Sequence, residues 1–173
     1  MGEFWVFGYG SLMWRPGFEH AERIRAHVGG YRRALCIVSR VHRGTPEKSG
    51  LVLGLDRGGS CVGVAFRVEP HLRDAVTAYL RERELVTNAY FERNVTARLA
   101  DGRLVSVLTY VVDRKHPQYS GALSPQEAAL RVAGRAGQSG SNEDYVFNTI
   151  KHLQELGIRD HWLESVGAII REQ

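Results

Sequence analysis

The sequence has few of the residues that stabilise secreted or metal-binding proteins. Only two of its 173 residues are cysteines, Cys36 and Cys61, and each lies in an apolar stretch with no histidine or cysteine at ligand spacing. This pattern argues against a disulfide framework and against a zinc site. We expect two buried thiols and no metal ion.

Long apolar runs are also missing. No stretch of about 18 apolar residues, the length that spans a bilayer, occurs in the chain. The N-terminus lacks the basic and then apolar pattern of a secretory signal. We therefore expect a cytoplasmic protein with no membrane partner.

The excess of positive charge is small. The chain has 23 lysines and arginines against 19 acidic residues, a formal net charge of +4. Arginines are more frequent between residues 23 and 43, but no basic helix or aromatic-interleaved basic motif accompanies them. We expect a small anionic ligand rather than a nucleic acid, and the sequence leaves the oligomeric state open.

The first two thirds of the chain have the pattern of strands, and the length fits a single domain over residues 1–173. Strand-like runs cover residues 4–7, 31–38, 51–55 and 61–68. The pair Gly58-Gly59 predicts a hairpin turn between the last two runs. A second hairpin is predicted between residues 95–99 and 104–112, with a type I′ turn at Asp101-Gly102.

Helical patterns concentrate in the last third. One helix, His71–Val86, is predicted within the strand region. A helix capped by Ser124 should end at Gly137, the next should run from Ser141 to Gly157, and the last should begin at Asp160. Together the elements predict an α+β domain whose sheet can close into a barrel.

The strand at residues 4–7 leads into Gly8-Tyr9-Gly10-Ser11. Glycines at the end of a strand allow a sharp turn whose consecutive N–H groups can bind a carboxylate or an oxyanion. A purely structural turn is the commoner explanation of such a pair, and the spacing matches no nucleotide-binding fingerprint. Ser11 has no His and Asp at motif spacing, so a serine hydrolase is disfavoured.

An acidic residue stands out on the predicted helix His71–Val86. Val76, Leu80 and Glu84 are spaced by four, so Glu84 continues the apolar stripe, whereas Glu82 lies on a more solvated face. Burial and the negative end of the helix dipole would both raise the pKa of an inward carboxyl toward the range of a general base. The competing interpretation is a solvated helix face of alternating charge.

The sequence resembles the ChaC-type γ-glutamylcyclotransferases over nearly its whole length. Four segments carry the resemblance in order and spacing: Val6–Trp14, His42–Pro46, Tyr79–Glu84 and Gly140–Tyr145. The resemblance implies a small closed or partly closed β-barrel flanked by helices. It also implies cleavage of glutathione into 5-oxoproline and cysteinylglycine without a cofactor.

The resemblance also suggests a role for individual residues. It assigns the catalytic acid to Glu84, and the grip on the γ-glutamyl group to the loop Tyr9, Gly10, Ser11, Leu12, Met13 and Trp14. Arg40 and Arg43, which follow a strand-like run, and Tyr145 of the last segment are weaker candidates for substrate binding.

Two departures from the family pattern bear on the substrate. Met13 stands where many relatives carry isoleucine, and Glu47–Gly50 lacks the usual Pro-Gly. Other γ-glutamyl peptides or γ-glutamylamines therefore remain alternative substrates. A non-catalytic barrel that binds an anion is the alternative from a different functional class.

Overall fold

The computed structural model describes residues 2–85 and 88–173. Its strands are β1 (Phe4–Gly8), β2 (Glu22–Ser39), β3 (Gly50–Val68), β4 (Tyr90–Leu99), β5 (Leu104–Val112), β6 (Ala136–Gly137) and β7 (Gly140–Ser141). Its α-helices are α1 (Arg73–Glu84), α2 (Pro125–Val132), α3 (Asn142–Glu155) and α4 (His161–Arg171). The α+β fold predicted from the sequence is confirmed.

Five strands form a closed barrel in the order β1-β3-β2-β4-β5. Strand β1 is antiparallel to β3 and parallel to β5, with Trp5 opposite Val107. Strands β6 and β7 form a separate two-stranded ladder that the sequence did not predict. Closure leaves the barrel without free sheet edges.

The predicted hairpin turn at Gly58-Gly59 is wrong. Strand β3 continues through both glycines, although each has a positive φ, 101° and 70°. Glycines inside a long barrel strand mark bends or bulges that let the strand curl. A pair of glycines is compatible with a bend within a strand and with a hairpin turn. Only the strand pairing of the closed barrel shows which of the two is formed.

The second predicted hairpin is confirmed, with β4 and β5 paired from Tyr90↔Val112 to Arg98↔Leu104. Its turn differs from the prediction. A type I′ turn needs positive φ at two central residues, but Gly102 has one (93°) and Asp101 does not. The N–H of Gly102 donates to the carbonyl of Leu99 at 2.9 Å, as in a type I turn followed by a glycine.

The predicted helices are present with altered ends. A 3₁₀ turn, Pro70–Leu72, precedes α1, and the predicted last residue, Val86, lies outside the described residues. The capping box of Ser124 and Glu127 starts α2 as expected, but the helix ends at Val132 and not near Gly137. Ser141 and Asp160 cap α3 and α4 as predicted.

The chain divides into two compact units. The first consists of the chain up to Arg33 together with Leu55–Asp113, and the second of Ala34–Gly54 and Arg114–Gln173. In the first unit, α1 buries Val76 and Leu80 in a core with residues of β1, β3 and β5. In the second, α4 packs against α2 and α3.

Both cysteines are buried, as predicted. No helix within residues 2–85 and 88–173 is long and apolar enough to cross a membrane.

Candidate active site

The loop after β1 turns sharply, as its glycines predict. Residues Ser11–Met13 form one 3₁₀ turn, in which the N–H of Met13 donates to the carbonyl of Gly10 at 2.9 Å. The N–H of Arg15 donates to the carbonyl of Ser11 at 2.7 Å. Because the first N–H groups of a helical turn precede its own hydrogen bonds, the N–H groups of Ser11 and Leu12 are not used by the turn.

The side chains of this loop face different environments. Tyr9, Leu12 and Met13 are buried, Trp14 is half-buried, and Ser11 is exposed. Leu12 and Met13 therefore anchor the loop in the core. Ser11 presents its hydroxyl to solvent.

Two arginines of β2 hold the loop by its carbonyls. The buried Arg33 donates from Nε to the carbonyl of Tyr9 at 2.6 Å and from its terminal nitrogen to the carbonyl of Val62 at 2.7 Å. Arg23 donates to the carbonyl of Met13 at 3.1 Å. These hydrogen bonds tie the carbonyls of Tyr9 and Met13 to side chains of β2.

Glu84 is the last residue of α1 and points inward, as its spacing from Val76 and Leu80 predicts. Its side chain is 19% exposed, whereas Glu82, two residues earlier, is exposed. Burial raises the pKa of the Glu84 carboxyl, and the nearby Arg83 guanidinium offsets part of this rise. A carboxyl of this kind can accept and return a proton closer to neutral pH than an exposed glutamate.

Arg83 connects the acid to the loop. One of its terminal nitrogens donates to Ser11 Oγ at 2.8 Å, and the other donates to the carbonyls of Arg15 at 2.8 Å and Pro16 at 3.2 Å. Its Nε lies 3.7 Å from a carboxylate oxygen of Glu84. The structure thus brings together the exposed serine of the loop and the inward acid of α1 through one guanidinium.

The second unit contains Arg40, Arg43 and Tyr145. Arg40 is exposed. Arg43 donates to the carbonyl of Ser141 at 3.1 Å, and its guanidinium lies over the ring of Tyr145, 5.2 Å from the centroid. The hydroxyl of Tyr145 accepts a hydrogen bond from the N–H of Leu53 at 2.9 Å. Arg43 and Tyr145 are in contact, and both bind the backbone of their own unit.

Comparison with known proteins decides the family. The family described as ChaC-like protein matches residues 4–173. The chain belongs to the ChaC-like family. A glutathione-specific γ-glutamylcyclotransferase of Escherichia coli is 34% identical over 99% of this chain and 74% of the relative. One of Schizosaccharomyces pombe is 34% identical over 99% of this chain and 94% of the relative.

Solved structures support the fold. A yeast γ-glutamyl cyclotransferase specific to glutathione superposes with a TM-score of 0.87 at 23% identity, covering 99% of this chain and 97% of the yeast chain. At this identity the likeness shows the fold and no more. The small barrel with helices that the family resemblance implied is confirmed.

The sequence pattern missed the arginines that shape the site of this ChaC-like chain. Arg33 lies inside a strand and Arg83 inside a run of alternating charges, where a solvated side chain is the usual expectation. The available signal was indirect, because a tight loop exposes carbonyls that need donors. Within the described part of the chain, no group of three His, Cys, Asp or Glu residues is placed to hold a metal ion.

Proposed function

We propose that this chain is a glutathione-specific γ-glutamylcyclotransferase, which releases 5-oxoproline and cysteinylglycine from glutathione. Its membership of the ChaC-like family supports this, as do the names of relatives that cover almost the whole chain. We further propose that residues 1–173 work as one catalytic domain in the cytoplasm, with a small-molecule substrate and no nucleic-acid partner.

The position of Glu84 carries the proposal. The substrate has an α-ammonium group that must lose a proton before its nitrogen can attack the γ-carbonyl. Glu84, with a pKa raised by burial, is the base for this step. The nucleophile and its target belong to the same molecule, so the enzyme has chiefly to fold the γ-glutamyl chain and move protons.

The loop Tyr9, Gly10, Ser11, Leu12, Met13 and Trp14 is the proposed holder of the γ-glutamyl group. A serine hydroxyl has one hydrogen to donate and two lone pairs. Because Ser11 Oγ already accepts from Arg83, its hydrogen is directed to another acceptor, and a substrate oxygen fits this need. The N–H groups of Ser11 and Leu12 are the proposed donors to the oxyanion that forms at the γ-carbon.

The proton balance closes without a cofactor. A new bond joins the α-nitrogen to the γ-carbon, and the bond from the γ-carbon to the cysteinyl nitrogen breaks. Two protons leave the α-ammonium group, and two arrive on the departing nitrogen, which becomes the ammonium group of cysteinylglycine. Glu84 accepts protons on one side and returns them on the other.

The test is formation of 5-oxoproline from glutathione by the purified protein. We expect product with the wild type and a loss of about 10²- to 10⁴-fold in kcat with Glu84→Gln, which keeps the shape but cannot accept a proton. The matched control is Glu82→Gln, on the same helix but exposed, which should retain activity. No product from the wild type, or full activity of Glu84→Gln, would contradict the proposal.

Other γ-glutamyl peptides and γ-glutamylamines are the second candidate substrates. The observation that favours testing them is the segment Glu47–Gly50, which departs from the family pattern. Here the N–H of Thr45 donates to the carbonyl of Lys48 at 3.0 Å, closing a tight turn. Comparing kcat/KM across a substrate panel decides the matter, since selectivity is a ratio of these values.

Arg40 and Arg43 stay predictions as ligands of the glycine carboxylate of glutathione, and Tyr145 stays a prediction as a substrate-binding residue without an assigned step. The hydrogen bond of Arg43 to Ser141 and that of Tyr145 to Leu53 also favour a structural duty for these two residues. If the wild type forms no product from any γ-glutamyl compound yet binds small anions, the non-catalytic barrel is the better description.

A further inference from the structure

Within the first unit, Arg83 contacts both Ser11 of the loop Tyr9–Trp14 and the carboxylate of Glu84. Its two terminal nitrogens donate to four acceptors: Ser11 Oγ, the carbonyls of Arg15 and Pro16, and the hydroxyl of Tyr79 at 3.1 Å. Three of these belong to the chain between Ser11 and Pro16. The fourth, Tyr79, lies one turn earlier on α1, so it fixes the guanidinium to its own helix.

We infer that Arg83 is a positioning residue that ties Ser11 of the loop Tyr9–Trp14, and the two residues that follow this loop, to the C-terminal end of α1, and so fixes where Ser11 stands relative to Glu84. This inference rests on the proposed function for its catalytic meaning. The lock itself is a property of the fold, and it can be measured without turnover.

The geometry favours a positioning role over a simple charge partnership. The distance of 3.7 Å from Nε to the Glu84 carboxylate is longer than a hydrogen bond, whereas the bonds to Ser11 and Arg15 are both 2.8 Å. The guanidinium is a rigid planar fork, which can reach several fixed acceptors at once. A lysine keeps the positive charge but presents a single flexible ammonium, so it cannot hold this set of acceptors in place.

The packing behind Arg83 supports the same role. Gly17, with φ of +77°, leaves the space that the Tyr79 hydroxyl occupies, and a Cβ built on Gly17 would overlap that oxygen. Tyr79 also contacts the ring of Phe18 edge-on, with centroids 6.5 Å apart. The segment following the loop is thus shaped around Tyr79, which in turn holds Arg83.

The test compares Arg83→Lys and Arg83→Gln with Arg81→Gln as the matched control. Arg81 lies on the same helix, is exposed, and pairs with Glu92 at 3.0 Å rather than with the loop. The first measurement is NMR-resolved exchange of the backbone amides of residues 9–14, with the β4–β5 hairpin as the folding control. The second is kcat, KM and the pH profile of kcat/KM on glutathione.

We expect the backbone amides of the loop to exchange about tenfold or more faster in both Arg83 variants than in the wild type, as for the loss of a charged hydrogen bond. Arg81→Gln should exchange at the wild-type rate. We expect kcat/KM to fall about tenfold in both variants.

The acid limb of the pH profile separates the roles of shape and charge. Glu84 is faced by Arg83 on its own helix, and its charge also acts on Tyr110 of β5, whose pKa is raised mainly by burial. Arg83→Lys should leave the apparent pKa of the acid limb unchanged, because a cation remains beside Glu84. Arg83→Gln should move it to higher pH, because the cation that lowers the pKa of Glu84 is lost.

The inference is overturned, whatever the activity, if the loop amides of both Arg83 variants exchange at the wild-type rate while the β4–β5 hairpin stays intact. Full recovery of kcat/KM by Arg83→Lys also overturns it, since charge alone would then suffice. If the wild type makes no 5-oxoproline while loop exchange still accelerates in both variants, the proposed function fails and the lock stands.

Discussion

Two regions of the molecule are rich in polar contacts, and these contacts serve different purposes in each. In the loop Tyr9–Trp14, arginines donate to the backbone carbonyls of Tyr9 and Met13, while Ser11 is exposed and the carboxyl of Glu84 is only partly desolvated. Around the start of α3, Asn142 donates to the carbonyl of Leu51 and accepts from its N–H, each at 2.8 Å, and Tyr145 accepts from Leu53. The first arrangement leaves the proposed catalytic and binding groups partly accessible to solvent, and the second supplies hydrogen-bond partners to backbone groups that are buried.

The largest stability effect should come from the second region. Asn142→Ala leaves the buried N–H and carbonyl of Leu51 without partners, which should lower the free energy of unfolding by about 2–4 kcal/mol. Urea denaturation measures this, with Asn148→Ala, exposed on the same helix, as the control. If the folded fraction of Asn142→Ala lost activity as severely as Glu84→Gln, the division between the two regions would fail.

Gly17→Ala is the next largest change and acts on the first region. An L-residue at positive φ costs about 1–2 kcal/mol, and the added methyl group also displaces the Tyr79 hydroxyl. Gly102→Ala is the control, because Gly102 also has positive φ but its Cβ would meet nothing within 4 Å. We expect both variants to lose stability in urea and only Gly17→Ala to lose kcat/KM. Equal kcat/KM in the two variants would show that the position of the Tyr79 hydroxyl does not affect catalysis.

Tyr145→Phe should have a smaller effect, confined to stability. The ring under Arg43 is kept while the acceptor for the N–H of Leu53 is lost, at a cost of about 1 kcal/mol in the free energy of unfolding. Steady-state kinetics on glutathione are expected to give an unchanged KM. A raised KM with unchanged stability would instead give Tyr145 the substrate contact that the sequence suggests.

The smallest effect concerns the pH dependence of stability. Because folding raises the pKa of Glu84, the folded state binds the proton more tightly, so this group's contribution is full below the ordinary glutamate pKa and is lost as pH rises through the folded value. Replacing the acid by glutamine removes this loss. We expect Glu84→Gln to be at least as stable as the wild type at pH 7, and to gain stability relative to it in thermal melts as pH rises above the ordinary glutamate pKa. A lower Tm at neutral pH would show that the ionised carboxylate is stabilised in the fold.

Much of the site follows from local sequence pattern, and the exceptions are informative. The inward direction of Glu84 follows from helical spacing alone, and the caps of α2, α3 and α4 follow from single polar residues. Gly58-Gly59 was misread because a bend within a barrel strand needs the same backbone angles as a turn. Arg83 was missed because three of its four acceptors lie about 70 residues away, at Ser11, Arg15 and Pro16, and no local pattern records them.

The parallel pairing of β1 with β5 has a consequence for the order in which this protein assembles. Trp5 and Val107 pair although about 100 residues separate them in the sequence. Such distant pairings form slowly, because the intervening chain must first close into a loop. The loop Tyr9–Trp14 continues directly from β1, so its backbone takes shape as the barrel closes. During refolding from denaturant, recovery of enzymatic turnover should therefore trail the recovery of helical circular dichroism, making catalysis a late reporter of folding.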